Sequence, residues 1–220
     1  MQILELTLSA HVPDELRQFY SRFGFTEIEA LGGSDGYSFH AGHTRFNFIP
    51  GHREARYHFA FNVRPDQLDD AVKWAEQSGA ELLDNEERKG KLVDFPAWRA
   101  RSVYFFDPAG NIVELIARAA LPRAGNAPKF SANSLLGVSE IGLVCNDVAA
   151  MREWITMAHG ISAFVRQENS DQFTALGDDE GLLLLVPKKR PWFMGNFEAQ
   201  HFPLAMTLKH AEKKVKLVLP

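Results

Sequence analysis

Cysteine, long apolar runs and an excess of basic residues are all missing or scarce in this 220-residue sequence. The one cysteine, Cys145, cannot form an intramolecular disulfide. No apolar stretch is long enough to span a bilayer, and the polar start MQILELTLSAH lacks the charged and then apolar plan of a signal peptide. From these absences we expect a cytoplasmic protein with no membrane partner.

The charge balance argues against a nucleic-acid partner. The chain has 24 Lys and Arg residues against 28 Asp and Glu residues, a net charge of -4, and no basic stripe that would suit a phosphate backbone. No glycine-rich phosphate loop and no Ser, His and Asp arrangement is recognisable. Because 45% of the residues are hydrophobic, the chain can bury one large core or two small ones.

Repetition is the most informative feature of the sequence. The segment ILELTLSAHVPDELRQFYSRFGF alternates apolar and polar residues and then takes on a helical period up to Gly24. The same strand-then-helix pattern returns at YHFAFNVRPDQLDDAVKWAEQSG and at VSEIGLVCNDVAAMREWITMAHG. Short strand-like runs separated by Gly, Asp or Asn follow each helix. The sequence therefore predicts repeated βαβββ modules in curved mixed sheets, an α+β fold.

The modules suggest a division of the chain. We expect residues 1–118 to contain two modules and residues 119–135 to be a linker rich in Pro, Gly, Asn and Ser. Residues 136–220 should contain a third module with a truncated fourth that starts at HFPLAMTLKH.

The ending FFDPAGNIVELIA, together with the module starts, resembles the vicinal oxygen chelate superfamily, which includes glyoxalase I, extradiol dioxygenases and bleomycin-binding proteins. The resemblance implies that the two modules of residues 1–118 pair to form a metal-binding cup for a divalent metal, with ligands on the first and last strands of each module. One scaffold in this superfamily hosts many reactions, so the resemblance implies a fold and a kind of site rather than one activity.

Placed on this sequence, the superfamily's ligand positions fall on Glu5, His58 and Glu114, with Asn47 at the remaining position. The resemblance implies that this set binds the metal and that Glu114 or Glu5 acts as a catalytic base. One imidazole and two carboxylates form a hard ligand set, which favours Mn²⁺ or Mg²⁺ over Fe²⁺ and leaves Ni²⁺ and Zn²⁺ open. The alternative is that the two glutamates are hydrogen-bonded residues in a cup without a metal.

Further residues complete the predicted site. Trp98, Ser102 and Tyr104 share one face of a strand, and Tyr104 matches a substrate-contacting tyrosine of fosfomycin-type members, so we expect these three residues and Asn47 to bind the substrate.

The third module repeats two of the ligand positions, with Glu140 in place of Glu5 and His201 in place of His58. Because no counterpart of Glu114 follows, we expect the third module to be structural and to cover either the second cup or a dimer interface. Its open sheet face needs a partner, so we expect a homodimer.

The resulting hypothesis is a divalent-metal-dependent enzyme of the lyase, isomerase or dioxygenase type that acts on a small substrate with chelating oxygens. The alternative is a metal-free protein that binds a small molecule or an antibiotic.

Overall fold

Two mixed β-sheets and three α-helices make up the part of the chain that the computed structural model describes, residues 1–30, 35–85, 90–125, 129–195 and 197–220. The strands are β1 (Gln2–Ala10), β2 (Glu27–Ile28), β3 (Tyr37–Ala41), β4 (Thr44–Pro50), β5 (His58–Val63), β6 (Val93–Phe95), β7 (Ala100–Phe106), β8 (Ile112–Arg118), β9 (Gly137–Cys145), β10 (Thr174–Asp178), β11 (Gly181–Pro187), β12 (Leu204–His210) and β13 (Lys213–Leu219). The helices are α1 (Pro13–Arg22), α2 (Leu68–Gln77) and α3 (Val148–His159), and a short 3₁₀ helix covers Ala132–Ser134. The predicted α+β class with βαβββ modules is confirmed.

The helices begin and end where local chemistry favours it. Pro13 opens α1, at a position where a missing backbone N–H costs nothing. Asp147 caps α3 by accepting a hydrogen bond from Ala150 N at 2.9 Å, and Gly160 ends the helix in the left-handed conformation at φ 70°. Among the described residues, no helix is long and apolar enough to cross a membrane.

The modules pair differently from the expected arrangement. The first sheet has the strand order β13-β12-β1-β4-β3-β2, and the second has the order β10-β11-β9-β5-β8-β7-β6. The first module therefore shares a sheet with β12 and β13, and the second module shares a sheet with the third. In both sheets two module-opening strands meet antiparallel, β1 with β12 and β5 with β9. Residues 1–118 are thus divided between the two sheets.

Alternation along the strands separates a core face from a site face. In β5, Phe59, Phe61 and Val63 enter the main hydrophobic core, together with residues of α1 and of the first sheet. His58 and Ala60 point to the opposite face of the second sheet, where smaller apolar clusters lie. The main core thus fixes the position of β5 while leaving its other face for a site.

Candidate metal centre and cavity

A cavity of about 230 Å³ lies over the site face of the second sheet. Most of its wall is aromatic or aliphatic, and its polar lining consists of two glutamates, a histidine, a glutamine and an arginine. The lining residues are His58, Phe95, Trp98, Tyr104, Glu114, Ile116, Glu140, Gln167, Phe173, Leu184, Arg190, Trp192 and Phe193. A concave, largely apolar cavity with a few convergent polar groups is the usual form of a small-molecule site.

Strand register brings three ligand-type side chains together at this cavity. Ala60 of β5 is paired with Glu114 of β8 on one side and with Glu140 of β9 on the other. His58 lies two residues before Ala60 and therefore on the same face of the sheet. Because the Ala60 side chain is only a methyl group, the space between the two carboxylates stays open.

The three side chains form a compact, buried group. The His58 Nε2 atom is 3.4 Å from Glu114 Oε2 and 3.9 Å from Glu140 Oε2. The ligand atoms of all three residues lie within 4.8 Å of one another, and the residues are at most 8% exposed. In the part of the chain that the structure describes, this is the one group of at least three such side chains.

The orientation of His58 is fixed by the backbone of β8. Its Nδ1 atom lies 3.2 Å from the carbonyl oxygen of Ile112. Since a carbonyl oxygen only accepts, Nδ1 must carry the proton and donate. The Nε2 atom then faces the two glutamates, which is the orientation that a metal-binding histidine requires.

A second layer of hydrogen bonds holds each carboxylate by one oxygen. The Tyr104 hydroxyl donates to Glu114 Oε1 at 2.9 Å, and the Ser102 hydroxyl donates to the Tyr104 oxygen at 3.2 Å. Arg118 Nη2 donates to Glu140 Oε1. Each glutamate therefore keeps its Oε2 atom directed towards His58.

Burial and crowding of charge shift the pKa values of this group. Burial, and then the charge of Glu140, raise the pKa of Glu114 to about 7, although His58, Ser102 and Tyr104 act in the opposite direction. Burial lowers the pKa of His58, but its contacts with Glu140 and Glu114 outweigh burial, so the net direction is upward. Burial and the charge of Glu114 raise the pKa of Tyr104 well above its usual value. The group is thus short of positive charge.

These residues fit a divalent cation. One imidazole nitrogen and two carboxylate oxygens, all buried and close together, match the donors that Mn²⁺, Mg²⁺ and Zn²⁺ accept in proteins. A cation here would also offset the cost of burying two carboxylates so close together.

The structure keeps two members of the expected metal set together and separates the third. His58 and Glu114 belong to the group, as the resemblance implies. Glu5 lies in β1 of the first sheet, half-buried, between Thr207 and Arg45 of the neighbouring strands. Its place beside His58 is taken by Glu140, because β5 pairs with β9 rather than with β1.

The substrate-binding candidates are also divided between the two sheets. Trp98 and Tyr104 line the cavity, and Ser102 is buried behind Tyr104. Asn47 lies in β4 of the first sheet, where its side chain bonds with Ser38, Arg45, Thr7 and the carbonyl oxygen of Leu6. That amide is fully engaged and away from the cavity.

The third module contributes more to the site than its expected structural role. It supplies Glu140, while His201 lies outside the cavity, just before β12. Two arginines near the site, Arg118 and Arg190, were missed by sequence reasoning. Arg118 could have been found, because it lies four residues after Glu114 in the same strand and therefore on the same face. No local pattern in the sequence indicates Arg190.

Comparison with known proteins agrees with this architecture. The family model described as a glyoxalase-like domain matches residues 5–116. A proposed dioxygenase from Bacillus subtilis subsp. subtilis is 13% identical with a TM-score of 0.63, and the match covers 99% of this chain and 84% of that chain. A glyoxalase I mutant from Zea mays is 16% identical with a TM-score of 0.54, and the match covers 90% of this chain and 72% of that chain. No curated protein matches the sequence.

The two structural matches share the fold at low sequence identity, whereas the family model matches slightly more than half of the sequence itself. The expected resemblance is therefore confirmed: the chain belongs to the glyoxalase-like family of the vicinal oxygen chelate superfamily.

Proposed function

We propose that the chain is a divalent-metal-dependent enzyme that acts on a small substrate with neighbouring oxygen atoms. The observation that supports this most directly is the convergence of His58 Nε2, Glu114 Oε2 and Glu140 Oε2 at the floor of an aromatic cavity. Three protein donors leave positions open for substrate oxygens, as in catalytic metal sites. When bound, the cation would supply Lewis acidity that stabilises an oxyanion.

The chain's own residues have separate roles in this proposal. His58, Glu114 and Glu140 hold the cation, while Tyr104 and Arg118 fix the orientations of the two carboxylates. Glu114 is also the residue to which we assign proton transfer, at Oε1, because Glu114 lines the cavity and its Oε1 atom contacts the Tyr104 hydroxyl rather than His58. The catalytic role expected for Glu5 is not part of the proposal, since Glu5 belongs to the other sheet.

The cavity wall indicates the kind of substrate body. Trp98, Trp192 and Phe193 are three of its aromatic residues, and they make the wall near the carboxylates largely apolar. A flat or apolar substrate body would pack against such a wall. With one histidine and two carboxylates, the donor set favours proton-transfer chemistry of the isomerase or lyase type over iron-dependent oxygenation.

Metal analysis of protein purified without chelators tests the proposal. We expect about one equivalent of a divalent metal in the unmodified chain and a loss of it in His58→Ala, Glu114→Ala and Glu140→Gln. Glu5→Ala is the matched control, because it removes a carboxylate from the first sheet and should keep the metal. Equal metal content in the unmodified chain and in all three site variants would contradict the proposal.

The metal-free binding protein remains the second candidate, and one observation favours it. Arg118 forms an ion pair with Glu140, so one of the two carboxylates on the cavity floor already has a cationic partner without a metal. For a binder, we expect no bound metal after dialysis against Mn²⁺, Mg²⁺ or Zn²⁺, together with a retained affinity for aromatic compounds.

A further inference from the structure

Arg190 is the cationic residue of the cavity wall that the metal proposal leaves without a role. It lies just beyond β11 and is half-buried, and it lines the cavity together with Trp192 and Phe193. Its guanidinium is 5.3 Å from the centre of the Phe173 ring, and Phe173 is also part of the wall. The charge is therefore held on an aromatic surface inside the cavity.

The guanidinium of Arg190 has no carboxylate partner within the described ranges. None of the carboxylates there lies within 4.0 Å of its guanidinium, in contrast to Arg118, Arg166 and Arg101. Its one side-chain hydrogen bond, at 3.4 Å, goes to the carbonyl oxygen of Pro191. Burial lowers the pKa of Arg190, and no nearby carboxylate acts in the opposite direction. A half-buried guanidinium of this kind has donors available for an anion.

The backbone around Arg190 is firmly held. The N–H of Lys189 donates to the carbonyl oxygen of Ala199 at 2.8 Å, and the N–H of Ala199 donates to the carbonyl oxygen of Arg190 at 2.8 Å. Two residues after Arg190, the Trp192 ring packs closely on Gly142. A Cβ atom added at Gly142 would lie 2.3 Å from the ring. The guanidinium is thus presented from an anchored segment.

The cavity is electrically polarised along its length. Glu114 and Glu140 lie in register on the floor, on either side of Ala60. Arg190 follows the end of β11, beyond the level of Leu184, and Lys188 and Lys189 are exposed beside it. On the floor, Arg118 pairs with Glu140 and is fully buried, so the floor offers an anionic group no exposed arginine. Arg190 does offer one, so a ligand with one anionic end would bind with that end towards Arg190.

We propose that Arg190 binds the anionic group of the substrate, so that the preferred ligands are flat aromatic acids whose carboxylate lies at the Arg190 end. This inference rests on the proposed function of the cavity as the substrate site, and it names the substrate class.

Two probes of nearly the same shape, one anionic and one neutral, test the inference on metal-free protein. They are 2-naphthoate and its amide, 2-naphthamide, both titrated by calorimetry after chelator treatment. We expect the unmodified chain to bind the acid at least about tenfold more tightly, the value of one charge-assisted pair. Arg190→Gln should reduce this preference to about twofold or less and leave the affinity for the amide unchanged. Arg190→Lys should retain part of the preference for the acid, because the positive charge stays while the planar guanidinium with its paired N–H donors is lost.

Arg101→Gln is the matched control, since it removes the same charge from a residue that does not line the cavity. A preference that persists in Arg190→Gln would overturn the inference, and so would an unmodified chain that binds both probes equally or binds neither. An equal loss of affinity for both probes in Arg190→Gln would show a packing role instead and would also overturn it. Metal content does not enter these measurements, so the inference and the metal proposal can fail separately.

Discussion

The buried ion pair of Arg118 and Glu140 gives the sharpest test of how the site is held in the absence of metal. The side chain of Arg118 is 0% exposed and that of Glu140 is 3% exposed. Within the described residues, Arg118 Nε and Nη1 have no hydrogen-bond partner. The pair therefore bears a desolvation cost that its one contact offsets incompletely.

Replacing one residue of the Arg118–Glu140 pair should lower the free energy of unfolding far more than replacing both. In chelator-treated protein we expect Glu140→Gln to lower the free energy of unfolding by about 3–5 kcal/mol, because Arg118 is then a buried charge without a counterion. Arg118→Met should lower the free energy of unfolding by a similar amount, because Glu140 then loses its arginine counterion. The double variant Arg118→Met/Glu140→Gln should come within about 2 kcal/mol of the unmodified chain, since neither charge is left buried.

Thermal unfolding by calorimetry in the presence of chelator measures these differences. In a chain of this size about 1 kcal/mol corresponds to roughly 2–4 °C, so each single variant should melt about 6–20 °C below the unmodified chain. The double variant should recover most of that loss. If the effects of the two single variants instead add in the double variant, the two charges are not coupled and the ion pair does not hold Glu140 in place.

Three further outcomes are expected. Tyr104→Phe should lower the affinity for a divalent metal by about tenfold, because Glu114 Oε1 loses its hydrogen-bond donor. Competition with a chromogenic chelator measures this affinity, and an unchanged value would contradict the orienting role of Tyr104. Gly142→Ala should displace the Trp192 ring, shift its fluorescence and cost about 1–3 kcal/mol of stability, whereas an unchanged spectrum would show that the contact is loose. The homodimer stays a prediction, and light scattering at micromolar concentration tests it.

Much of the fold was predictable because it depends on local patterns. Alternation in the first strand of each module, helix boundaries such as Pro13 and Gly160, and the turn at Asp107 are all local signals that need no knowledge of partners. Glu114 and His58 could be assigned for a related reason, since each lies in a motif that resembles the superfamily's own pattern.

The choice of partner strand could not be predicted in this way. Glu5 and Glu140 open two nearly equivalent strands, ELTLS and EIGLV, and either could lie beside His58 by pattern alone. Which one does so depends on long-range pairing between modules, and β5 pairs with β9. The position of Arg190 at the cavity could not be predicted either. It depends on backbone hydrogen bonds between the segment of Arg190 and Ala199, and the spacing of apolar residues in the sequence does not indicate such bonds.

The DPAGN turn that precedes Glu114 supports a last prediction, because its aspartate is buried among donors. Asp107 Oδ1 accepts the backbone N–H groups of Ala109 and Asn111, both at 3.0 Å, and Oδ2 accepts from the Asn111 side chain and the Tyr20 hydroxyl. Burial nevertheless outweighs these bonds and raises the pKa of Asp107 from 3.8 to about 6. The Tyr20 hydroxyl is the titratable group that contacts Asp107, and its pKa is raised well above its usual value, so Tyr20 stays protonated while Asp107 titrates.

The sign of the resulting pH dependence follows from linkage. Since the folded pKa of Asp107 exceeds the unfolded one, its contribution to stability is fully present below about pH 4 and is lost as the pH rises through about 6. A shift of this size corresponds to about 3 kcal/mol. Asp107→Asn keeps an acceptor for the backbone N–H groups and removes the titration. We therefore expect the unfolding free energy of the unmodified chain, minus that of the variant, to fall by about 3 kcal/mol between pH 4 and pH 7 in urea titrations. A difference that rises with pH would show that the four hydrogen bonds to the carboxylate outweigh its burial.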